Sequence, residues 1–124
     1  MKMLNHPDFG AIQVSEVFLS VEKPVLFLCS FEKVKVDFIG ILVEEYVSPL
    51  CADKHVENYY FAGVNKSELR MLKSGGSLKE LFNTRPVWWC NSHYRNNKSV
   101  NQYWKSQSSI SPIYQIADGV SLKC

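Results

Sequence analysis

Two pairs of cysteine and histidine have the types and spacing that could bind a metal ion. Cys51 and His55 are four residues apart, and Cys90 and His93 are three residues apart. Thiolates and imidazoles are the usual ligands of tetrahedral zinc, so these four side chains could form one site if the fold brings the pairs together. Mixed pairs of this kind also arise by chance, as a loop cysteine beside surface histidines. Zinc is therefore a minor hypothesis, and we expect no bound cofactor.

A second set of chemistry-bearing residues is concentrated in the segment 85–105, which is aromatic and basic. The segment contains four Lys or Arg residues and no Asp or Glu. Its aromatic residues include Trp88, Trp89, Tyr94, Tyr103 and Trp104. Aromatic faces stack on unpaired bases and cations neutralise phosphates, so this composition suits single-stranded nucleic acid. Trp, Tyr and Arg are also the usual anchors of protein interfaces.

Three interpretations of the segment stay open. It binds another protein subunit, or it binds single-stranded nucleic acid, or one or two tryptophans pack in the core while the rest forms a solvated loop. We expect the protein interface ahead of nucleic acid, because four cations make a modest phosphate footprint and residues 1–84 are mildly acidic. The expected binding residues are Trp88, Trp89, Arg95, Tyr103 and Trp104.

The sequence carries no established catalytic motif. Cys90 with His93 could form a nucleophile and its base, but no third orienting residue stands out. Glu16 lies among apolar neighbours and could be a buried carboxylate, although such a residue more often lies on the wet face of an edge strand. There is no phosphate-binding loop, dinucleotide fingerprint or nucleophile elbow. We therefore predict that the protein is not an enzyme.

Length and composition predict one globular domain over residues 1–124. The chain has 124 residues, is 46% hydrophobic and has a formal net charge of +2. This size allows one hydrophobic core. Residues 5–8 interrupt the first apolar stretch before it reaches the length of a signal peptide, and no run is long enough to span a membrane. We expect a cytoplasmic protein in which the four cysteines are free thiols.

Hydrophobic patterning predicts four strands in the first half of the chain. Residues 9–21 alternate, residues 25–29 form a continuous apolar run, and residues 34–44 and 58–64 are rich in β-branched or aromatic side chains. The connections are too short for crossover helices, so the strands are expected to be antiparallel.

Two short helices are predicted after the fourth strand. Asn65 followed by Glu68, and Ser77 followed by Glu80, fit capping boxes that begin helices. Residues 91–109 are rich in Asn, Ser, Gln and Lys, which indicates a loop. The predicted fold is α+β, with an antiparallel sheet of four to six strands in a meander and the two helices packed on it.

Several motifs resemble a family of small uncharacterised bacterial α+β proteins. They occupy residues 16–18, 24–27, 60–68, 72–75 and 77–82. Members of this family share a strand carrying Glu, a Pro-x-Leu-Phe strand and a Gly-x-x-Ser-Leu-x-x-x-Phe turn-helix. The resemblance implies an α+β fold and supplies no activity.

These observations predict a non-enzymatic accessory module that binds another protein. The resemblance suggests the small subunit of a multi-component bacterial system of the defence or toxin–antitoxin type. Nucleic acid is the alternative ligand of segment 85–105. A homodimer that forms through an exposed edge strand is the alternative assembly.

Overall fold

The computed structural model describes residues 4–47, 53–96, 98–111, 114, 116 and 122, without the side chains of residues 99 and 100. Strands and helices account for most of this part of the chain. The strands are β1 (Asn5–His6), β2 (Gly10–Val21), β3 (Lys23–Phe31), β4 (Val34–Val47), β5 (Lys54–Val64), β6 (Val87–Arg95) and β7 (Lys98–Gln107). Helices α1 (Lys66–Lys73) and α2 (Leu78–Asn83) lie between β5 and β6.

The seven strands form one antiparallel sheet in the order of the sequence, and the sheet curls into a nearly closed barrel. The two ends of the sheet approach each other at β1 and β7, where the backbone N–H of Asn5 donates to Oε1 of Gln102 at 2.8 Å. β1 itself pairs with β2 only at Gly10 and Ala11. The predicted fold of four to six strands in a sheet with packed helices is therefore wrong.

The error came mainly from the polar segment after α2. Residues 91–109 were predicted to be a loop, but residues 91–95 complete β6 and β7 occupies most of the rest. Polar side chains are compatible with a strand when they alternate between an interior and a surface, and composition does not reveal this alternation. The chain turns at Glu32 and Lys33, and Phe31 pairs with Val34 across this turn.

The barrel interior is filled mainly by aromatic side chains. Its buried members are Leu4, Ile12, Phe27, Cys29, Phe31, Phe38, Tyr59, Phe61, Cys90 and Tyr94. Gly40 faces this interior, and a Cβ atom there would clash with the rings of Phe27 and Phe61. The close approach of these two rings to the β4 backbone therefore requires glycine at this position.

A second apolar cluster lies on the outer face of the same strands. It joins strand residues such as Ile39 and Tyr60 to Leu72 of α1 and to Leu78 and Phe82 of α2. Both helices begin as the sequence predicts. The side chain of Asn65 accepts from the N–H of Glu68, the side chain of Glu68 accepts from the N–H of Asn65, and the side chain of Ser77 accepts from the N–H of Glu80.

Within the described residues, neither helix has the length and apolar content needed to cross a lipid bilayer.

Candidate functional site

Strand β6 separates its side chains into two sets by simple alternation. Trp88, Cys90 and Tyr94 belong to the interior cluster, whereas Trp89 packs against the outer cluster. Asn91 and His93 lie on the same outer face as Trp89, because residues two apart in a strand share a face. The aromatic and basic segment of the sequence is thus divided between the core and a surface.

The outer face of β4, β5 and β6 carries a continuous row of polar side chains. Nδ2 of Asn58 donates to Oε1 of Glu44 at 3.0 Å, and Nδ2 of Asn91 donates to Oδ1 of Asn58 at 2.7 Å. Nε2 of His93 lies 2.5 Å from Oδ1 of Asn91. These four residues, which we call the outer polar row, follow direct cross-strand pairs of Glu44 with Asn58 and of Asn58 with Asn91.

The carboxylate of Glu44 fixes the direction of every hydrogen bond in the row. A carboxylate only accepts, so Asn58 must present its amide nitrogen to Glu44 and its oxygen to Asn91. Asn91 then presents its nitrogen to Asn58 and its oxygen to His93. The Nε2 atom of His93 is therefore protonated and donates to Asn91. Burial and the nearby charge of Lys54 lower the pKa of His93, which favours the neutral imidazole.

Aromatic side chains surround Asn91. Tyr103 is its direct partner on β7 and is 56% exposed, and the ring of Tyr103 meets the ring of His93 edge-on at 5.9 Å between centroids. Trp89 is half-buried on the same strand. The hydroxyl of Tyr114 donates to Oε1 of Glu44 at 3.2 Å and closes the far end of the row.

Basic residues lie around this polar and aromatic surface. Lys105 pairs with Trp89 across β6 and β7, and Lys98 pairs with Arg95 at the other end of the same two strands. Arg95 also forms an exposed ion pair with Asp53 at 3.4 Å. The structure thus brings three of the expected binding residues, Trp89, Arg95 and Tyr103, to one face.

The other two expected binding residues pack in the interior. Trp88 and Trp104 meet the ring of His6 edge-on, with centroids at 4.6 Å and 5.0 Å. The ring of Phe9 stacks on the ring of His6, with centroids 3.8 Å apart. We call these four residues the histidine cage. Because their rings contact one another across the β1 and β7 ends of the sheet, Trp88 and Trp104 hold the barrel together.

The interior also contains a buried carboxylate. Glu57 is 1% exposed, and it accepts from Nζ of Lys23 at 2.5 Å and from the hydroxyl of Tyr59 at 3.1 Å. Lys23 also contacts Glu45 at 2.5 Å. Burial lowers the pKa of Lys23, but the hydrogen bonds and charges of the two carboxylates outweigh it and raise that pKa overall. This cluster neutralises the buried charge at one end of the barrel.

Cys90 and His93, two residues of the zinc hypothesis, lie on opposite faces of β6. Cys90 is buried in the interior, and His93 lies on the outer face. Burial and then the charge of Glu57 raise the pKa of the Cys90 thiol, which disfavours its thiolate. His55 is exposed, and Cys51 lies outside the described residues. Among the residues that are described, no group of three or more His, Cys, Asp and Glu side chains could hold a metal ion.

A separate feature is the apolar stretch of β2, residues 17–21. Val17, Leu19 and Val21 are 44%, 51% and 66% exposed. Glu16, beside the stretch, forms an ion pair with Lys73 of α1 at 3.0 Å. Large aliphatic side chains on a strand are usually buried, so three exposed ones in five residues are uncommon.

Sequence reasoning missed Glu44, Asn58 and Asn91, and it considered His93 only as a zinc ligand or as the base of a Cys90 nucleophile. The polar residues of β5 and β6 could have indicated a row if the two strands had been aligned. Asn58 interrupts an apolar strand, and a buried amide requires partners. That alignment requires residues 91–95 to be recognised as part of a strand, and their polar composition indicated a loop instead.

No protein-family model, curated protein or solved structure matches the chain significantly. The resemblance to a bacterial family therefore stays a prediction.

Proposed function

We propose that this protein is a cytoplasmic, non-enzymatic module that binds another protein subunit through the apolar stretch of β2. The exposure of Val17, Leu19 and Val21 is the observation that carries the proposal. Burying a fully exposed aliphatic side chain stabilises an interface by about 1.5–3 kcal/mol, so three half-exposed ones supply a substantial driving force. The principal protein contact is therefore proposed at this stretch, and not at Trp88 and Trp104 as the sequence suggested, since these two side chains pack in the histidine cage.

The position of the stretch in the sheet also favours a contact with a partner. β1 covers the edge of β2 only at Gly10 and Ala11, with one further bond from the N–H of Ile12 to the carbonyl of Leu4 at 2.9 Å. In the described part of the chain, the β2 edge beyond Ile12 has no strand beside it. Exposed strand edges are common sites of association.

The irregular pairing of β2 indicates how the partner is held. Its register with β3 shifts after Val14, after Val17 and after Leu19. Such bulges twist an edge and disfavour a continuous ladder of backbone hydrogen bonds with a new strand. We infer that side-chain packing carries the contact. Glu16 is already neutralised by Lys73, so the partner is expected to present an aliphatic surface with few charges.

Copurification from the native host tests this proposal. The tagged wild-type protein should recover one stoichiometric subunit, and Leu19→Lys should lose it because a lysine would place a charge in the apolar contact. Val36→Lys is the matched control, since Val36 is a valine on a strand with a similar exposure of 45%. Thermal unfolding should confirm that both variants are folded.

Light scattering of the purified protein distinguishes a second copy of the chain from a different subunit. A dimer that Leu19→Lys converts to a monomer would identify the partner as the homodimer mate. Recovery of the same subunit by the wild-type protein and Leu19→Lys would overturn the proposed surface.

A further inference from the structure

We propose that the outer polar row is the floor of a nucleobase-binding site, in which a base of single-stranded nucleic acid stacks on Tyr103 and hydrogen-bonds to Asn91. This site is distinct from the apolar stretch of β2 and does not depend on a protein partner. Three features of the outer face carry the inference: the orientation of the Asn91 amide, the exposure of the Tyr103 ring and the surrounding cations.

The amide of Asn91 is oriented before any ligand arrives. One N–H of Nδ2 is used by Asn58, and one lone pair of Oδ1 is used by His93. An amide has two N–H groups and two lone pairs, so the described part of the chain leaves one donor and one acceptor on this half-buried side chain. A donor beside an acceptor matches the edge of a nucleobase, and the fixed orientation avoids the entropic cost of ordering the amide on binding.

Tyr103 supplies the stacking surface. It lies directly opposite Asn91, so a base that stacks on its ring brings its edge toward the amide. The ring contact with His93 restricts the Tyr103 ring, and the residue stays 56% exposed. Stacking on an aromatic side chain is the main sequence-independent contact of proteins with single strands.

Cations lie where the sugar-phosphate backbone would pass. Lys105 is beside Trp89 on the β7 side of the site, and Lys98 and Arg95 lie at the opposite end of the two strands. All three are exposed. Each phosphate contact contributes about −0.7 to the slope of log affinity against log salt for single strands, so contacts from Lys98 and Lys105 predict a slope of about −1.4, while Arg95 is paired with Asp53.

Fluorescence anisotropy of a labelled 15-nucleotide single-stranded DNA tests the proposal, with the corresponding duplex and a mononucleotide as competitors. We expect the single strand to bind, and the unlabelled duplex to compete poorly because its bases are stacked. Tyr103→Ala should weaken binding about 5- to 150-fold, which is the effect of losing one stacked base. Tyr103→Phe should keep most of the affinity, since it retains the ring.

Two control variants test whether a loss of binding is specific to the Tyr103 ring and the nearby cations. Met71→Ala removes an exposed apolar side chain from α1, and Lys35→Glu reverses an exposed charge on β4. Neither should change the affinity as much as Tyr103→Ala or Lys105→Glu. Leu19→Lys should bind the single strand like the wild type, so loss of the protein contact and loss of the base site are distinguishable.

Asn91→Ser tests the role of the amide. The shorter serine hydroxyl cannot present a donor and an acceptor side by side as the amide does, so the variant should weaken binding at constant salt slope, with circular dichroism to verify the fold. Absence of binding to any probe at 50 mM salt would overturn the proposal. So would binding that responds to salt but not to Tyr103→Ala, because it would place the contact elsewhere. Competition by the mononucleotide alone would restrict the site to free nucleotides.

Discussion

The inner and outer faces of β6 and β7 are built from neighbouring residues and serve opposite purposes. Tyr103 is exposed beside the outer polar row, and the next residue, Trp104, contacts His6, Phe31 and Phe61 in the interior. The interior aromatic rings contact one another and close the barrel. The outer aromatic rings border hydrogen-bonding groups and solvent.

The comparison teaches that the face of the strand on which a residue lies, and not the composition of the segment, decides which aromatic residues are available to a ligand. In a strand, a shift of one residue exchanges the two faces. The expected binding residues were Trp88, Trp89, Arg95, Tyr103 and Trp104. This set mixed residues of the inner face with residues of the outer face. Only Trp89, Arg95 and Tyr103, which lie on the outer face, are near polar groups that could contact a ligand.

Truncating neighbouring aromatic residues should give the largest difference between the faces. Trp104→Ala is expected to reduce the free energy of unfolding by about 3 kcal/mol, because it leaves a cavity among packed rings. Tyr103→Ala should change it by no more than about 0.5 kcal/mol, as is usual at exposed positions. Urea unfolding of both variants measures the two values. Equal losses would show that the two residues do not differ in their packing.

The second prediction compares the contributions of two ion pairs to the free energy of unfolding: the buried pair of Lys23 with Glu57 and the exposed pair of Lys73 with Glu16. Lys23→Met leaves Glu57 buried without its cation and should cost about 2 kcal/mol, a value reduced from that of fully buried pairs because Lys23 is partly exposed. Lys73→Met removes the exposed pair with Glu16 and should cost at most about 0.5 kcal/mol. Chemical denaturation of both variants at pH 7 makes the comparison. A cost for Lys23→Met as small as that for Lys73→Met would contradict the structural role of the interior cluster.

The smallest expected effect is the pH dependence that His6 imposes on the interior. Nδ1 of His6 accepts from the backbone N–H groups of Asp8 and Phe9 at 3.0 Å and 3.1 Å, which a protonated nitrogen cannot do. Burial lowers the pKa of His6, and the charge of Asp8 only partly opposes this. The unfolded chain therefore takes up a proton at a higher pH than the folded protein does. The protein should lose stability as the pH falls through the unfolded-state value of about 6.5.

His6→Phe keeps an aromatic ring in the histidine cage and removes the titrating group. The variant should show a shallower loss of stability between pH 8 and pH 5, as measured by the temperature of thermal unfolding. His93→Gln is the control for the second histidine whose pKa is lowered. An unchanged pH dependence in His6→Phe would assign the acid sensitivity to other groups.

Local signals in the sequence predicted much of the secondary structure. The capping box at Asn65 and Glu68 and the apolar patterns of β2, β3 and β4 are local features, because neighbouring residues determine them. The barrel depends instead on contacts between distant residues. The pairing of β6 with β7 and the bond from Asn5 to Gln102 have no signature in a single stretch of sequence.

The candidate site was less predictable than the strands for the same reason. Tyr103, Trp89 and Arg95 were identified from their residue types alone. The carboxylate and the two amides of the outer polar row become a unit only when β4, β5 and β6 lie in register. Glu and Asn are common polar residues, so these three do not indicate a site until their hydrogen-bond partners are known.

The order of the strands has a consequence for how the protein is made. Each strand pairs with the strand that precedes it in the chain, so a nascent polypeptide can add strands one at a time as it leaves the ribosome. His6 lies in β1, yet two of its ring neighbours are Trp88 of β6 and Trp104 of β7. Its imidazole therefore reaches its final surroundings only after β6 and β7 have been added, and the seam between the two ends of the sheet is the last part of the barrel to form.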